Sequence, residues 1–333
     1  MKAIMMTAVG GPGVLQLRKI EKPALRRDSD LLIRLKAAGV NPVDTKLRGR
    51  GTYYPGRLPA ILGCDGAGIV EASGPAAQRF KPGDEVYFCN GGIGGEPGNY
   101  AEYTVIDERY AARKPASLSF AQAAAAPLAL ITAWESLHDR GHLQAGQKVL
   151  IHAGAGGVGH VAIQLAKIAG ARVCTTVGSV AKADFVRGLG ADEAILYKQT
   201  DFVQAVLDWS DGKGIDLALD TVGGKTFGAT FSAVRFYGDL VTLLQPGAET
   251  DWKEARQRNL RVSYELMLSP MYYGLTEAQQ HQAGILEQCA TLFDTGKLKI
   301  ALTRTFPLDE AAKAHQWLEQ GSATGKIALV MES

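Results

Sequence analysis

The stretch Lys148-Val-Leu-Ile-His-Ala-Gly154-Ala-Gly156-Gly157-Val-Gly159-His-Val-Ala-Ile-Gln-Leu-Ala-Lys167 decides the fold. It runs from a short apolar segment through glycines spaced G-x-G-x-x-G into a helical pattern, the order expected of a dinucleotide-binding turn. Each glycine has a chemical reason. Gly154 permits the tight turn out of the strand, Gly156 lets the backbone approach a pyrophosphate, and Gly159 lets the helix pack closely on the sheet. Free N–H groups in the first helical turn, reinforced by the helix dipole, then hold phosphate oxygens. Glycine clusters also make ordinary turns. The apolar segment before this one and the helical pattern after it favour the nucleotide reading.

Working outward, residues 145–266 repeat an apolar strand, a turn and a helix, the pattern of a parallel sheet covered by helices. The expected strands are Val149–Ala153, Val173–Val177, Glu193–Tyr197, Asp216–Asp220, Leu240–Leu244 and Leu260–Glu265, enough for a complete doubly wound Rossmann unit. The helix after the first strand spans about 158–169, with Val158, Ala162, Leu165, Ala166 and Ala169 on its sheet-facing side and Gly170 placed to stop it. The first 120 or so residues differ. Short β segments (Leu31–Ala37, Gly68–Ala72, Glu85–Phe88, Tyr100–Val105) alternate with Gly and Pro punctuation, implying a compact β-rich domain. An alanine-rich helical stretch, Phe120–Leu137, leads toward the nucleotide unit. After Leu275 the pattern reads helix (Glu277–Thr295), strand (Ala301–Phe306), helix (Leu308–Glu319) and strand (Lys326–Met331), with no further glycine motif. This tail is expected to rejoin the first domain. The fold class is therefore α/β.

With 333 residues and 46% hydrophobic content the chain suits two domains. Lys plus Arg number 36 against 34 acids, a net charge of +2 without long like-charged runs, so neither nucleic acid nor an anionic membrane is an expected partner. No window approaches a membrane span or a signal peptide, and the cytoplasm is the expected location. The four cysteines, Cys64, Cys89, Cys174 and Cys289, form no C-x-x-C pair and read as scattered reduced thiols.

Enzymes that select NAD carry an acid about twenty residues after the first glycine, where it binds the ribose hydroxyl. Here that strand ends Thr175-Thr176-Val177-Gly178-Ser179, with Lys182 following. A hydroxyl, a glycine and a lysine suit a 2′-phosphate that a carboxylate would repel, so NADP (NADPH) is the expected cofactor. Lys182 also fits a solvated helix face.

Further segments carry a resemblance. Gly10-Gly-Pro-Gly-Val-Leu15, Ala38-Gly-Val-Asn41-Pro-Val-Asp44, Gly49-Arg-Gly-Thr-Tyr53, Gly63-Cys-Asp-Gly-Ala-Gly68, Lys81-Pro-Gly-Asp84, the glycine turn, Pro307-Leu-Asp-Glu-Ala-Ala and Thr324-Gly-Lys326 occur in an order that resembles the quinone oxidoreductase (zeta-crystallin-like) branch of the medium-chain dehydrogenase/reductase superfamily. The resemblance implies a GroES-like catalytic domain built from residues 1–122 and 269–333 around a Rossmann NADP-binding domain at 123–268. It also implies a homodimer formed through the nucleotide domains, with Leu260–Glu265 as the pairing edge. Carried over residue by residue, Gly154, Ala155, Gly156, Gly157, Val158 and Gly159 surround the pyrophosphate, and Gly178, Ser179, Lys182 and Tyr197 the 2′-phosphate. Asn41, Tyr53, Thr132 and the strand end Leu243-Leu244-Gln245 lie near the nicotinamide, and Lys326 contacts a cofactor phosphate.

Zinc alcohol dehydrogenases of the same superfamily place a cysteine and a histidine ligand where this chain has Asn41 and Cys64. Their four-cysteine lobe is replaced by Phe88-Cys-Asn-Gly-Gly-Ile-Gly-Gly-Glu-Pro-Gly-Asn99, which reads either as a flexible connector or as a rim shaping substrate access. No metal site is expected. Without a Lewis acid, alcohol oxidation is hard, whereas a quinone or a conjugated enone accepts hydride at carbon and spreads charge onto oxygen. Asn41 and Tyr53 are the candidate catalytic hydrogen-bond donors, with Tyr53 or water supplying the proton. Lys46 departs from the family, which carries a tyrosine there, and so removes a ring that could stack on a flat quinone. The expected function is zinc-independent, NADPH-dependent reduction of quinones or α,β-unsaturated carbonyl compounds. The alternatives are a zinc-type alcohol dehydrogenase with atypical ligands and an NADPH-binding structural protein with little turnover.

Overall fold

The computed structural model describes residues 1–321 and 323–331, and the chain divides into two compact units. One unit, Leu130–Met267 with Lys297–Lys299, is built on a six-stranded, wholly parallel sheet. Its strands run in the order Glu193–Leu196, Arg172–Val177, Lys148–Ile151, Ile215–Asp220, Val234–Thr242, Arg261–Tyr264. Numbered along the chain this is 3-2-1-4-5-6, the doubly wound order, in which sequence direction reverses beside the first strand. All carboxyl ends face one edge, so the turns that follow the strands gather there. The helix after the first strand spans Gly159–Ile168, and its core-facing Ala162, Leu165 and Ala166 are buried against the sheet. On the other side of the first strand Leu150, Cys174, Ile195, Ala218, Phe227, Phe231 and Leu240 form one apolar cluster.

The other unit comprises Met1–Ala129, Leu268–Gly296 and the chain from Ile300 on. Its main sheet runs Leu302–Pro307, Lys326–Val330, Asp30–Val40, Asp65–Ser73, Glu85–Cys89, Ala112–Arg113, with Tyr103–Asp107 also paired to Asp30–Val40. Only the first two strands pair in parallel. The tail therefore rejoins the first domain through Lys326–Val330, which lies antiparallel to Asp30–Val40 with Ile327 opposite Val40. A small sheet of Leu15–Lys19, Lys2–Met6 and Ala60–Ile61 completes the unit.

The first unit break falls after Ala129 rather than at the expected 122. The alanine helix Phe120–Ala125 packs on the Asp30–Val40 and Asp65–Ser73 strands, so closely that a Cβ on Gly39 would lie 2.4 Å from Ala124 O. Small residues permit this approach, and the helix stays with the sheet it covers. A short piece of the tail, Lys297–Lys299, belongs to the parallel unit. Lys299 N donates to Gln164 Oε1 at 2.9 Å and Gln164 Nε2 donates to Lys299 O at 3.0 Å, which ties Lys297–Lys299 to the helix Gly159–Ile168. Among the described residues no helix is long and apolar enough to cross a membrane.

Candidate active site

In the parallel unit the glycine turn leaves the first strand at Ala153, which takes a left-handed φ of 51°. A Cβ on Gly154 would meet Thr175 Oγ1 at 2.0 Å, and one on Gly159 would meet Ala153 O at 2.4 Å. Both positions admit only glycine. Gly156 differs, because its nearest neighbour is Ala153 O at 3.1 Å, leaving space on the outer side of the turn. Thr176 Oγ1 accepts from Ala153 N at 3.1 Å and Gly154 N donates to Thr176 O at 3.1 Å, which fixes the turn to the second strand. Among the described residues the amides of Ala155, Gly157, Val158 and Gly159 have no hydrogen-bond acceptor. Unfilled N–H groups at a ten-residue helix start suit a pyrophosphate.

One strand further out, Ser179 caps the helix Val180–Gly188 by accepting from Lys182 N at 3.4 Å. A Cβ built on Gly178 would sit 3.2 Å from Tyr197 Oη and 3.6 Å from Lys198 Cε. Tyr197 and Lys198 therefore close on Gly178, and both are exposed. Lys198 was not expected from the sequence. Its signal was available, because the parallel register places Val177 opposite Leu196, so the residues just beyond each strand end must be neighbours. No acid stands at the Val177 strand end. Leu243 N donates to Asp220 O at 3.0 Å, and the Leu244 side chain lies against Gly223, so Leu243-Leu244-Gln245 also leaves the sheet at its carboxyl edge. Thr132 is buried on the helix Pro127–Trp134. His152 is buried, its ring nitrogens 3.1 and 2.9 Å from Thr176 Oγ1 and Thr230 Oγ1, and burial lowers its pKa to about 4. A neutral imidazole held by two hydroxyls is a core element of the turn's support.

In the β-rich unit the second group of candidates surrounds Asn41, which precedes the helix Pro42–Arg50. Asn41 is only 1% exposed. Its backbone N–H donates to Asp44 Oδ2 at 2.8 Å, its Nδ2 donates to Asp65 Oδ2 at 2.9 Å, and its Oδ1 accepts from Lys326 Nζ. Asp65 Oδ1 takes Leu128 N at 2.9 Å. Lys326 Nζ also reaches Val40 O at 3.4 Å, and the residue is 5% exposed. Burial lowers the Lys326 pKa against the pull of Asp65 and Asp44, and burial raises that of Asp65 against Lys326. Lys326 was expected at a cofactor phosphate. Its ammonium is instead turned inward onto Asn41, because the strand that carries it pairs beside Val40.

A second chain of bonds leads away from Asp44. Tyr100 Oη donates to Asp44 Oδ2 at 3.0 Å and lies 3.2 Å from His315 Nε2, while Arg48 Nη1 lies 3.5 Å from His315 Nδ1 and Arg48 Nη2 is 2.6 Å from Glu319 Oε1. Burial raises the Asp44 pKa to about 7, and burial beside Arg48 lowers that of His315 to about 3. With Arg48 donating to Nδ1, His315 keeps its proton on Nε2, and that N–H donates to Tyr100 Oη. Asp44 Oδ1 is buried with no partner, which suits a protonated carboxyl.

Tyr53 is half-buried, and among the described residues its hydroxyl has no partner. Burial, and then the Cys64 thiol, raise its pKa, so the phenol stays protonated. Its ring lies 5.3 Å from Tyr272, which in turn meets Tyr54 at 5.5 Å and Tyr273 at 4.7 Å. The glycine-rich 89–99 segment backs this group: Tyr53 N donates to Ile93 O at 3.1 Å, and Gly94 and Gly95 press on Thr52 and Tyr54. Gly91, Gly92, Ile93 and Gly94 are buried, so the segment is packed wall rather than free connector. Lys46 is exposed. Tyr272, which the sequence reading did not single out, supplies the aromatic neighbour that Lys46 does not.

A zinc ion fits this donor set poorly. Asn41 Oδ1 already accepts from an ammonium. At Cys64 the hydrogen bond from Cys89 lowers the pKa, but burial and the two nearby aspartates leave it raised; at Cys89 the same bond and burial push it well above the usual range. Zinc needs thiolates. Among the described residues no group of three or more His, Cys, Asp or Glu side chains could hold a metal ion.

Residues 27–116 match the alcohol dehydrogenase GroES-like domain, and residues 189–329 match the model described as zinc-binding dehydrogenase. The chain is 32% identical over 329 residues to a quinone oxidoreductase of Pseudomonas aeruginosa, covering 99% of each protein. It is 33% identical to the 2-methylene-furan-3-one reductase of Solanum lycopersicum, covering 99% of this chain and 79% of that one. The structure of Escherichia coli quinone oxidoreductase complexed with NADPH superposes with a TM-score of 0.87 at 28% identity, covering 99% of this chain and 100% of that one.

Proposed function

The chain belongs to the quinone oxidoreductase type of the medium-chain dehydrogenase/reductase family, and from that premise we propose that it is an NADPH-dependent, zinc-independent reductase of quinones or α,β-unsaturated carbonyl compounds. That it is an oxidoreductase follows from the family; the cofactor preference and the acceptor are our reading. The observation that carries it is the environment of Gly178, where Tyr197 and Lys198 are the nearest neighbours of a built Cβ and the strand end Val177-Gly178-Ser179 carries no acid. A 2′-phosphate gains there what an acid would forbid.

The nicotinamide supplies the hydride. The chain supplies placement, charge and a proton. In this reading the unfilled amides of Ala155, Gly157, Val158 and Gly159 hold the pyrophosphate, and Ser179, Lys182, Tyr197 and Lys198 hold the 2′-phosphate. Thr132 and Leu243–Gln245 orient the nicotinamide end. The remaining Nδ2–H of Asn41 and the hydroxyl of Tyr53 donate to the acceptor oxygen as it gains negative charge, and Tyr53 passes its proton to that oxygen and recovers one from water. The Asn41 cluster, with an ammonium where a metal ligand would have to be free, supports chemistry without zinc. A homodimer through Arg261–Tyr264 is part of the proposal, supported by an edge strand whose Tyr264 is 56% exposed, with Phe236 and Tyr237 exposed near the opposite end of the neighbouring strand. Light scattering at twice the chain mass is the expected result, and a monomer at all concentrations would remove it. We place the enzyme in the cytoplasm, acting on a small molecule and not on nucleic acid.

The test is oxidation of NADPH and NADH across quinones, conjugated enones and saturated aldehydes. Turnover on the first two classes, with kcat/KM roughly tenfold or more higher for NADPH, is expected, and Lys198→Ala should narrow that preference. Binding without turnover on any acceptor would sink the proposal.

A further inference from the structure

The buried ammonium of Lys326 has no part in the proposed chemistry so far, and its setting is unusual. A lysine this buried ordinarily pairs with a carboxylate. Among the described residues Lys326 has none within ion-pair distance, although Asp65 and Asp44 lie near enough to oppose the loss of its charge. Its hydrogen bonds go to two carbonyl oxygens, Asn41 Oδ1 and, at 3.4 Å, Val40 O. The positive charge is thus delivered onto the amide of Asn41 rather than neutralised directly. The far side of the same amide is held by Asp65 Oδ2 at 2.9 Å. Asn41 cannot rotate, its carbonyl is pulled by a cation, and its Nδ2 keeps one uncommitted hydrogen.

We propose that Lys326 is a positioning residue that takes over the electrostatic part a metal ion plays in related enzymes: through Asn41 Oδ1 it polarises and locks the amide whose free N–H receives the acceptor's developing oxyanion. Withdrawal of electron density from an amide oxygen strengthens its N–H as a donor, and in a low-dielectric surrounding such chains reinforce one another. The charge is needed most when the acceptor oxygen becomes anionic, so the effect belongs to the transition state more than to binding. Asp44 Oδ1 is buried without a partner, and burial raises the Asp44 pKa to about 7, which limits the negative charge that this carboxyl sets against the ammonium. The proposal rests on the reductase reading and replaces the cofactor-phosphate contact that the sequence implied for this lysine.

A double-mutant cycle tests it. Lys326→Met keeps most of the side-chain volume without the charge, Asn41→Ala removes the amide, and the two are combined, with Tm and the NADPH Kd measured for every variant. Lys326→Met should lower kcat about tenfold on an enone, with KM and the NADPH Kd changed less than about twofold, and the double variant should be no slower than Asn41→Ala alone within about twofold. Additive losses, or a weakened NADPH Kd with kcat intact, would overturn the proposal. A second measurement needs no turnover: the side-chain amide of Asn41, identified in asparagine-labelled protein by its loss in Asn41→Ala, should shift upfield in proton frequency in Lys326→Met. An unmoved resonance in a folded variant would also overturn it. If the wild-type protein reduces no acceptor, the reductase reading fails, while this resonance still decides whether Lys326 polarises Asn41.

Discussion

At the scale of single residues, the three glycines of the turn are not equivalent, and the difference separates folding from cofactor binding. Gly154 faces Thr175 Oγ1 at 2.0 Å from a built Cβ, and that hydroxyl is held by its bond to Ile151 O at 2.6 Å. Gly154→Ala should therefore cost ~1–3 kcal/mol of stability by overpacking, read as a lowered Tm. Gly156→Ala meets only one carbonyl at 3.1 Å, so its Tm should stay within a few degrees of wild type while the NADPH Kd rises roughly tenfold or more, because the methyl group occupies the approach of the pyrophosphate. An unchanged Kd in Gly156→Ala would show that the phosphates lie elsewhere. His315 gives a pH prediction. Its folded pKa, about 3, lies below the unfolded 6.5, so between these values the unfolded chain binds more protons. The stability it contributes is present above about pH 6.5 and drains away as pH falls toward 3. Asp44 acts in the opposite sense: raised to about 7, it stabilises below the unfolded carboxyl pKa and loses that contribution as pH rises through about 7. In urea unfolding, His315→Gln should flatten the acid loss between pH 6.5 and 4, and an unchanged slope would mean the imidazole titrates normally.

At the scale of elements, the strand–turn–helix repeats of 145–266 were legible because parallel strands buried on both faces read as uninterrupted apolar runs, and each turn carried a glycine or a cap. What sequence did not show lay where chemistry depends on residues far apart. Lys326 meets Asn41 across 285 positions, a contact no local pattern encodes. The helix Pro42–Arg50 was not expected, since Pro42-Val-Asp-Thr-Lys-Leu-Arg-Gly-Arg50 has little apolar periodicity and a glycine near its end; Asp44, held to the Asn41 N–H, starts it. The strand Lys2–Met6 and its partner Leu15–Lys19 were also missed, charged at their ends and short. Tyr272 was legible as a residue but not as a neighbour, because its short helix, Ser269–Tyr273, returns to Tyr53 only through the fold. Its ring should favour flat acceptors. Tyr272→Leu is expected to lower kcat/KM for an aryl-substituted enone several-fold more than for a small aliphatic enone, whereas Tyr272→Phe keeps the wild-type ratio. Equal losses on both acceptors would show that the ring only supports Tyr53.

At the scale of the whole molecule, two units of different architecture divide the work. The parallel unit offers unfilled amides at its glycine turn, with Tyr197 and Lys198 beside Gly178, at the carboxyl edge of its sheet. The β-rich unit offers Tyr53 together with Asn41, whose amide oxygen accepts from the buried Lys326. Sequence read this division from glycines at one end and from Asn41 and Cys64 at the other, without showing that Lys198 joins the first group and that Tyr272 and a lysine from the last strand join the second. The central claim is reduction without a metal, and the most direct measurement is NADPH oxidation by protein stripped with a chelator and checked for metal by elemental analysis, using a quinone and a conjugated enone. The account predicts full activity at less than about one tenth of a zinc per chain, unchanged when zinc is returned. Activity that disappears on stripping and returns with one zinc per chain would contradict it.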